Sequence, residues 1–347
     1  MPELTIQFRD GAVHLPELGL WLDPRAKRTG PERVFVSHAH SDHIGAHRAV
    51  ILTAPTARLM RARLGGKRIE HVLPFGEATP FQNGPMPFAL TLLPAGHILG
   101  SAMAFVEVPG RSLLYTGDFK LRRGLSAEPC QSRPADILIM ETTFGRSQYR
   151  FPPADAVFRG IIEFCRETLA NEATPVLLAY SLGKSQELLC GLVNAGLPLM
   201  LHDSVYKLTR IYEEFGQLFP TYQRWDPAQA RGCVLLGPPG FAGSTAVREL
   251  GPVRSAIVTG WALDSSCRYR SRTDAAFPLS DHADFQELIE MVRQVAPRKV
   301  YTLHGFAAEF AAELRQLGID AQALGQEEQL TLPLFHQPLL ASSGTPV

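Results

Sequence analysis

Thiols are scarce in this chain and spaced unlike any framework. Its 347 residues include five cysteines, Cys130, Cys165, Cys190, Cys233 and Cys267, and no two of them form a C-x-x-C pair. That spacing excludes a disulfide scaffold and a thiolate zinc site, and it reads as a cytoplasmic protein with reduced thiols. Net charge is missing too, since 34 basic residues balance 34 acidic ones. A protein that binds nucleic acid through a generally basic surface is thereby excluded, and any phosphate binding must come from local clusters. No apolar run reaches the roughly 18 residues that cross a bilayer. The opening MPELTIQFRDG lacks the basic-then-apolar pattern of a secretory leader. Neither internal repeats nor low-complexity segments are found. What remains is ordinary globular usage, 45% apolar and 20% charged, on a chain long enough for two domains or one large one.

Two basic clusters stand out. Arg58, Arg61, Arg63, Lys67 and Arg68 read as a solvated face, whereas Arg254, Arg268, Arg270 and Arg272 lead into a histidine-bearing motif. The first 140 residues read as short strands separated by turns: GLWLDP (19–24), RVFVSHAH (33–40), FALTLLPAGH (88–97), AMAFVEV (102–108), SLLYTGD (112–118) and DILIMET (136–142). RLMRARLG (58–65) reads as a short helix. The middle changes character: 154–172 carries a 3.6-residue apolar period, and 175–196 reads as strand, turn and helix. VYKLTRIYEEFGQLF reads as another helix, VRSAIVTGW (253–261) as a strand, and the Arg-rich stretch to 273 as a loop. A helix (DFQELIEMVRQVA), a strand (KVYTLHG) and a last helix (FAAEFAAELRQLG) follow. The tail from about 335 is polar and reads as frayed.

The segment SHAHSDHIG (37–45) sets His38, His40, Asp42 and His43 directly after an apolar strand. Imidazole and carboxylate suit zinc-type ions, and a loop at a strand end lets several of them converge. His97, Asp118 and His304 each close an apolar strand, at LTLLPAGH, SLLYTGD and KVYTLHG. These ligands are more than one tetrahedral ion can use, so two divalent ions are expected. His38, His40 and His97 with one oxygen fill the first site, Asp42, His43 and His304 serve the second, and Asp118 bridges. Two such ions suit phosphodiester hydrolysis, and they also suit hydrolysis of small thioesters or lactones.

The H-x-H-x-D-H run, with the His, Asp and His at later strand ends, resembles the metallo-β-lactamase superfamily. Asp23 in GLWLDP is similar to that family's early-strand Asp, which orients ligands rather than binding metal. Glu141 in ILIMETTFG, His282 in PLSDHAD and His304 in TLHG resemble the motifs of its β-CASP nuclease branch. The resemblance implies that Glu141 supports the metal site and His282 contacts the scissile phosphate. LAYSLGKSQELL (178–189) is similar to the strand-to-helix turn of the branch's inserted domain, where Ser181 and Lys184 sit at a helix start suited to phosphate. ETTFGRSQYRFPP, TGWALDSSCRYRSR and LSDHADF resemble the bacterial DNA-ligase-associated exonuclease family.

From the resemblance follows an α/β fold, a metallo-β-lactamase αββα sandwich with an inserted β-CASP α/β domain. Residues 1–147 and 275–347 make up the metallo-β-lactamase domain, and 148–274 the insert. It further implies a two-metal phosphodiesterase using Zn²⁺, with Mn²⁺ as the alternative ion, and acting as a DNA exonuclease in repair. Asp42, Asp118, Glu141 and His282 carry the catalysis. Single-stranded DNA is favoured over RNA as partner, tracked by Ser181, Lys184, Arg268, Arg270 and Arg272. An RNA-processing nuclease is the alternative, because RNA-acting relatives carry His at the position of His304. Association with a DNA ligase or helicase is also implied.

Overall fold

In a computed structural model, residues 4–325 are described, and the tail expected from about 335 lies outside them. Three sheets organise the chain. The first runs, edge to edge, through Gln7–Arg9, Ala12–Leu15, Leu20–Leu22, Arg33–Phe35, Ala49–Leu52 and Ile69–Val72. The second runs through Ala321–Ala323, Lys299–Leu303, Ile137–Glu141, Arg111–Tyr115, Ala102–Val108, Phe88–Pro94 and Thr79–Phe81.

These two sheets stack face to face. In the strand Ala102–Val108, Ala102, Ala104 and Val106 point inward onto Leu22, Phe35 and Ile51 of the first sheet. Met103 and Phe105 point outward onto Leu288 and Met291 of the helix Phe285–Val295, and onto Phe310 and Leu314 of the helix Ala307–Gln316. The two-residue period of a strand sends alternate side chains to opposite faces. Because both faces are covered, the strand reads as a continuous apolar run rather than an alternating one. On the outer face of the first sheet, Trp21, Val34 and Val50 pack under the helix Ala54–Leu64. Helix, sheet, sheet, helix is the resulting order of layers, an αββα sandwich. The helix Phe285–Val295 starts with a reciprocal cap: Asp284 accepts from the Glu287 amide at 3.0 Å, and the Asp284 amide donates back to the Glu287 carboxylate at 2.9 Å.

After Ile137–Glu141 the chain leaves the sandwich, and it returns with the helix Phe285–Val295. Between them lies the third sheet, wholly parallel, in the order Tyr222–Arg224, Leu199–Leu201, Val234–Gly237, Thr174–Leu178, Val253–Val258, Ala275–Phe277. One face is covered by the helices Ala154–Ala170, Lys184–Gly191 and Asp203–Glu214, the other by Phe241, Val247 and Leu250. Two details differ from the sequence reading. Cys267–Ser271 is a short helix inside the stretch read as loop, and Ala275–Phe277 pairs with Val253–Val258 in the third sheet, three residues past the expected boundary.

The third sheet's layer docks on the sandwich through an apolar seam. Leu182, Leu208, Ile211 and Tyr212 meet Ala39, Leu59, Ile98 and Leu99, and the Tyr212 hydroxyl accepts from the Leu99 amide at 3.3 Å. The seam leaves a cleft of about 1130 Å³ beside it, with the strand ends of the sandwich as its floor.

Leu90 sits fully buried where the two stacked sheets meet. Leu90→Ala is expected to cost about 2–5 kcal/mol of stability, read by urea unfolding. A cost below about 1 kcal/mol would mean that the two sheets do not share that core.

Candidate metal centre

The floor of the cleft and the layer buried directly beneath it gather side chains from five strand ends. His38, His40 and His43 follow Arg33–Phe35, His97 follows Phe88–Pro94, Asp118 follows Arg111–Tyr115, Glu141 ends its own strand, and His304 follows Lys299–Leu303. Their apolar strands are rigid and buried, so the loops just beyond them are fixed in place. Ligand atoms of His38, His40, His97 and Asp118 all lie within 4.8 Å of one another.

The partners of each ring decide which nitrogen carries the proton. His97 Nδ1 lies 2.9 Å from the Asp281 carbonyl, which can only accept. His40 Nε2 lies 3.2 Å from the Leu182 carbonyl, again an acceptor. Ser37 donates its hydroxyl proton to Asp23 at 2.6 Å, so it accepts from His38 Nδ1 at 2.9 Å. In the neutral ring, one nitrogen donates and the other bears a lone pair. Three lone pairs therefore face inward: His38 Nε2 and His97 Nε2 each stand 3.0 Å from His40 Nδ1. Acceptors so placed repel one another unless a cation lies between them. Bonds of about 2.0–2.1 Å to a tetrahedral zinc ion would set neighbouring nitrogens about 3.3 Å apart, close to this spacing. The donor set fits a divalent metal of the zinc type.

Charge state agrees with that geometry. Burial, reinforced by His282, pushes His97 down to about 3, and burial with His43 and His97 holds His38 well below the ordinary histidine range. Burial would raise the Asp118 carboxyl, but His43 and His282 pull it well below the usual carboxylate range. Asp118 Oδ2 reaches toward both halves of the floor, 3.5 Å from His38 Nε2, 3.8 Å from His97 Nε2 and 3.3 Å from His43 Nε2.

The second expected group is looser. His43 Nε2 faces Asp118 and stands 3.9 Å from Asp42, an exposed side chain at the cleft rim. The His304 ring lies 6.1 Å from that of His43, centroid to centroid. His304 is held at φ +61, in the left-handed region that a histidine rarely occupies, while its carbonyl accepts from the Thr142 hydroxyl at 2.6 Å. Asp42, His43 and His304 are thus brought to one wall of the cleft, but without the tight convergence of the first group.

Asp23 lies buried behind the floor and takes four hydrogen bonds. Its donors are the Ser37 amide at 2.7 Å, the Ser37 hydroxyl, the Tyr115 hydroxyl at 2.9 Å and His43 Nδ1 at 3.0 Å. One carboxylate thereby orients His43 directly and His38 through Ser37. Burial alone would depress His43, yet Asp118 and Asp23 hold it well above its ordinary value. Gly117 makes room for this hub: at φ +53, a Cβ there would come within 2.6 Å of the Ser37 side chain.

His282 faces the first group from the other side, its ring 4.7 Å from His97. Its Nδ1 lies 3.0 Å from Glu141, which also accepts from the Phe119 amide at 3.1 Å and the Thr143 amide at 3.2 Å. Burial lowers His282, but Glu141 and Asp118 outweigh it and push the ring up to about 9. A cationic imidazole thus borders the cleft beside the carboxylate-lined floor.

Four residues expected to hold substrate are placed differently. Lys184 is almost wholly buried, and its ammonium is committed to Asp281 at 2.6 Å, so it braces the site instead of presenting a free charge. Arg268, Arg270 and Arg272 do not line the cleft. The short helix turns Arg270 onto Asp264 at 2.7 Å and lays Arg268 over Tyr269. Ser181 does line the cleft, its hydroxyl 2.8 Å from that of Ser204. The basic cluster read as a solvated face is divided: Arg58 and Arg61 pair with Glu214 and Glu70, while Arg63 lines the cleft.

Three contributors escaped the sequence reading. Ser37 directly precedes the histidine run, and Asp281 directly precedes His282, so proximity to a motif was their available signal. The Leu182 carbonyl left none. It reaches His40 because Gly183 lets the turn approach closely: at φ +82, a Cβ on Gly183 would lie 2.2 Å from Ile98 Cγ2.

A family model described as the metallo-β-lactamase superfamily matches residues 22–161, and one described as a Zn-dependent metallo-hydrolase RNA specificity domain matches 275–324. A protein of Opitutus terrae named "Probable DNA ligase" is 52% identical over 340 residues, covering 98% of this chain and 33% of that one. An RNase J-like protein of Methanocaldococcus jannaschii is 28% identical, covering 55% of this chain and 52% of its own length. The 5′ exonuclease Apollo of Gallus gallus is 27% identical over 86% of this chain and 64% of its own. The chain thus spans between a third and two thirds of the length of these curated relatives. A crystal structure of a protein of unknown function from Enterococcus faecalis V583 shares the fold, with a TM-score of 0.57 at 11% identity over 85% of this chain and 79% of that one.

Asp23→Asn is expected to weaken zinc binding about 10–100-fold in chelator competition, with the circular dichroism unchanged. Unaltered affinity would detach Asp23 from the ligands. Lys184→Met strands the Asp281 carboxylate and is expected to cost about 3–5 kcal/mol in urea unfolding. The double variant Lys184→Met with Asp281→Asn should regain part of that loss, and equal losses would deny the pairing.

Proposed function

The chain belongs to the metallo-β-lactamase superfamily and to its β-CASP branch, and we propose that it is a two-metal phosphodiesterase degrading DNA from a strand end in repair. The observation that carries this is the inward convergence of three unprotonated imidazole nitrogens with Asp118 on the cleft floor. His38, His40 and His97 would hold the first ion, Asp42, His43 and His304 the second, and Asp118 would bridge them. Bound there, divalent ions would lower the pKa of a coordinated water toward about 7 and neutralise charge on a phosphodiester.

The chain's own groups do the rest. Asp23 fixes His43 and, through Ser37, His38, so both ligand sets are pre-oriented before substrate enters. Glu141 holds His282 as a cation whose free edge borders the cleft, where it stabilises charge developing on the phosphoryl oxygens. Asp42, exposed at the rim, and Asp118, on the floor, are the carboxylates positioned to accept a proton. The third-sheet layer walls a cleft of about 1130 Å³, above the roughly 300–1,000 Å³ of ordinary small-molecule pockets, which suits a polymer more than a small thioester or lactone. The division into residues 1–147 with 275–347, and an insert over 148–274, belongs to the same reading, the third sheet carrying the insert to Phe277.

DNA as substrate, and a setting shared with a ligase, draw support from the Opitutus terrae relative. There, a region like this chain is part of a longer protein named for DNA ligation. The Apollo likeness supports attack at a strand end. A second reading, cleavage of RNA, is favoured by the match of 275–324 to a domain described by RNA specificity, and by His304. End-labelled single-stranded DNA, the matching RNA and a generic thioester, each supplied with Zn²⁺ or Mn²⁺, separate the possibilities. Stepwise loss of label from one end of DNA is expected. Faster turnover of RNA would transfer the assignment to the second reading, and thioester hydrolysis alone would end both. His40→Ala is expected to abolish turnover with the melting temperature held within a few degrees; retained turnover would contradict the metal assignment.

A further inference from the structure

With Arg268, Arg270 and Arg272 turned away, the cleft's free cations lie elsewhere. Arg25, Arg63 and Lys207 all line it. None of the three forms an ion pair with an acidic side chain among the described residues, although Arg58, Arg61 and Arg68 next to them on the sandwich all do. Helical geometry explains the division on the helix Ala54–Leu64. Arg58 and Arg61, three apart, share a face that meets Glu214 and Glu70, and Arg63 falls on another. Lys207 comes from the helix Asp203–Glu214 across the seam, and its ammonium donates to the Ala62 carbonyl at 2.9 Å, next to Arg63. Asp42 at the cleft rim lines the same cleft, and its carboxylate opposes the burial that lowers Arg63, so this cationic wall stands on the Asp42 side.

The His282 side is lined differently. Trp261 is 39% exposed and lies 4.8 Å from Phe144, whose ring is 6.2 Å from His282. Phe144 in turn meets Tyr149 and Phe151, so a packed aromatic base holds the indole rigid at the cleft wall. Tyr180, 60% exposed, lines the same cleft from the turn before the helix Lys184–Gly191. Large aromatic surface left open beside the charged side chains of the cleft matches the flat faces of unpaired bases.

We propose that the cleft sorts a single strand across the metal floor, its phosphates along Arg25, Arg63 and Lys207 and its bases stacked on Trp261 and Tyr180. This rests on the nuclease reading and adds the path of the strand and the side chains that grip it; the strand must be unpaired, because a paired base offers neither of its faces to a side chain. Mixed-sequence strands are accepted, since every base has a face to stack.

Binding is measured on the metal-loaded protein by fluorescence anisotropy of a labelled phosphorothioate oligothymidylate over a range of salt, the sulfur substitution resisting cleavage so that binding is read apart from turnover. Each of Arg25→Ala, Arg63→Ala and Lys207→Ala is expected to flatten the slope of log affinity against log salt by about 0.7. Arg268→Ala serves as the control and keeps the slope of the unaltered protein. Trp261→Ala is expected to weaken binding about tenfold. A strand lacking bases should bind the unaltered protein more weakly by a similar factor, and should bind Trp261→Ala no more weakly still. Unchanged slopes in all three cation variants, or equal binding of normal and abasic strands, overturn this inference alone and leave the nuclease reading standing. Failure of the unaltered protein to bind the oligonucleotide at all overturns both.

Discussion

Three lone pairs pointing at one spot are the constraint on which the rest of the molecule depends. Each inward nitrogen of His38, His40 and His97 is left unprotonated because its opposite nitrogen already donates, to Ser37, Leu182 and Asp281 respectively. Such an arrangement is unfavourable by itself and becomes favourable only with a cation at its centre. The scaffold's task is to hold the unfavourable state in readiness. Two stacked sheets do so by ending five buried strands at one level, where the side chains just beyond have little freedom left.

Around that centre, charge is arranged in opposed pairs. Asp23 and Asp118 bracket His43, Glu141 anchors His282, and Lys184 neutralises Asp281. Each buried charge meets a partner with a hydrogen bond as well as an opposite sign, the condition under which burial is tolerated. The centre is crowded with ionisable groups and still carries no stranded charge among these pairs.

The clustering of ligand-type side chains was the most legible part of the chain, and the cleft-facing surface the least. His38, His40, His97 and Asp118 could be picked out because ligand-type residues at the ends of apolar strands have few structural reasons to be there. The sandwich strands were legible for a related reason, since elements buried on both faces spell continuous apolar runs. Edge strands such as Ile69–Val72, where no residue is buried, and short ones such as Tyr222–Arg224 left no such pattern. Lys184 looked like a phosphate contact because a lysine at a helix start reads alike whether it meets solvent or a buried aspartate. Arg268, Arg270 and Arg272 stand near His282 in sequence, but a short helix lays Arg268 over Tyr269 and turns Arg270 onto Asp264. Arg63 was grouped with its neighbours by composition, and only the helical period separates it from them.

The hydrogen bond from His40 to Leu182 joins the two halves of the molecule at a ligand. If the third-sheet layer lifts away, His40 loses the acceptor that keeps its proton on the outer nitrogen, and the cation position loses one of its lone pairs. Assembly of the two layers and occupancy of the centre are therefore linked equilibria, and each strengthens the other by the same factor.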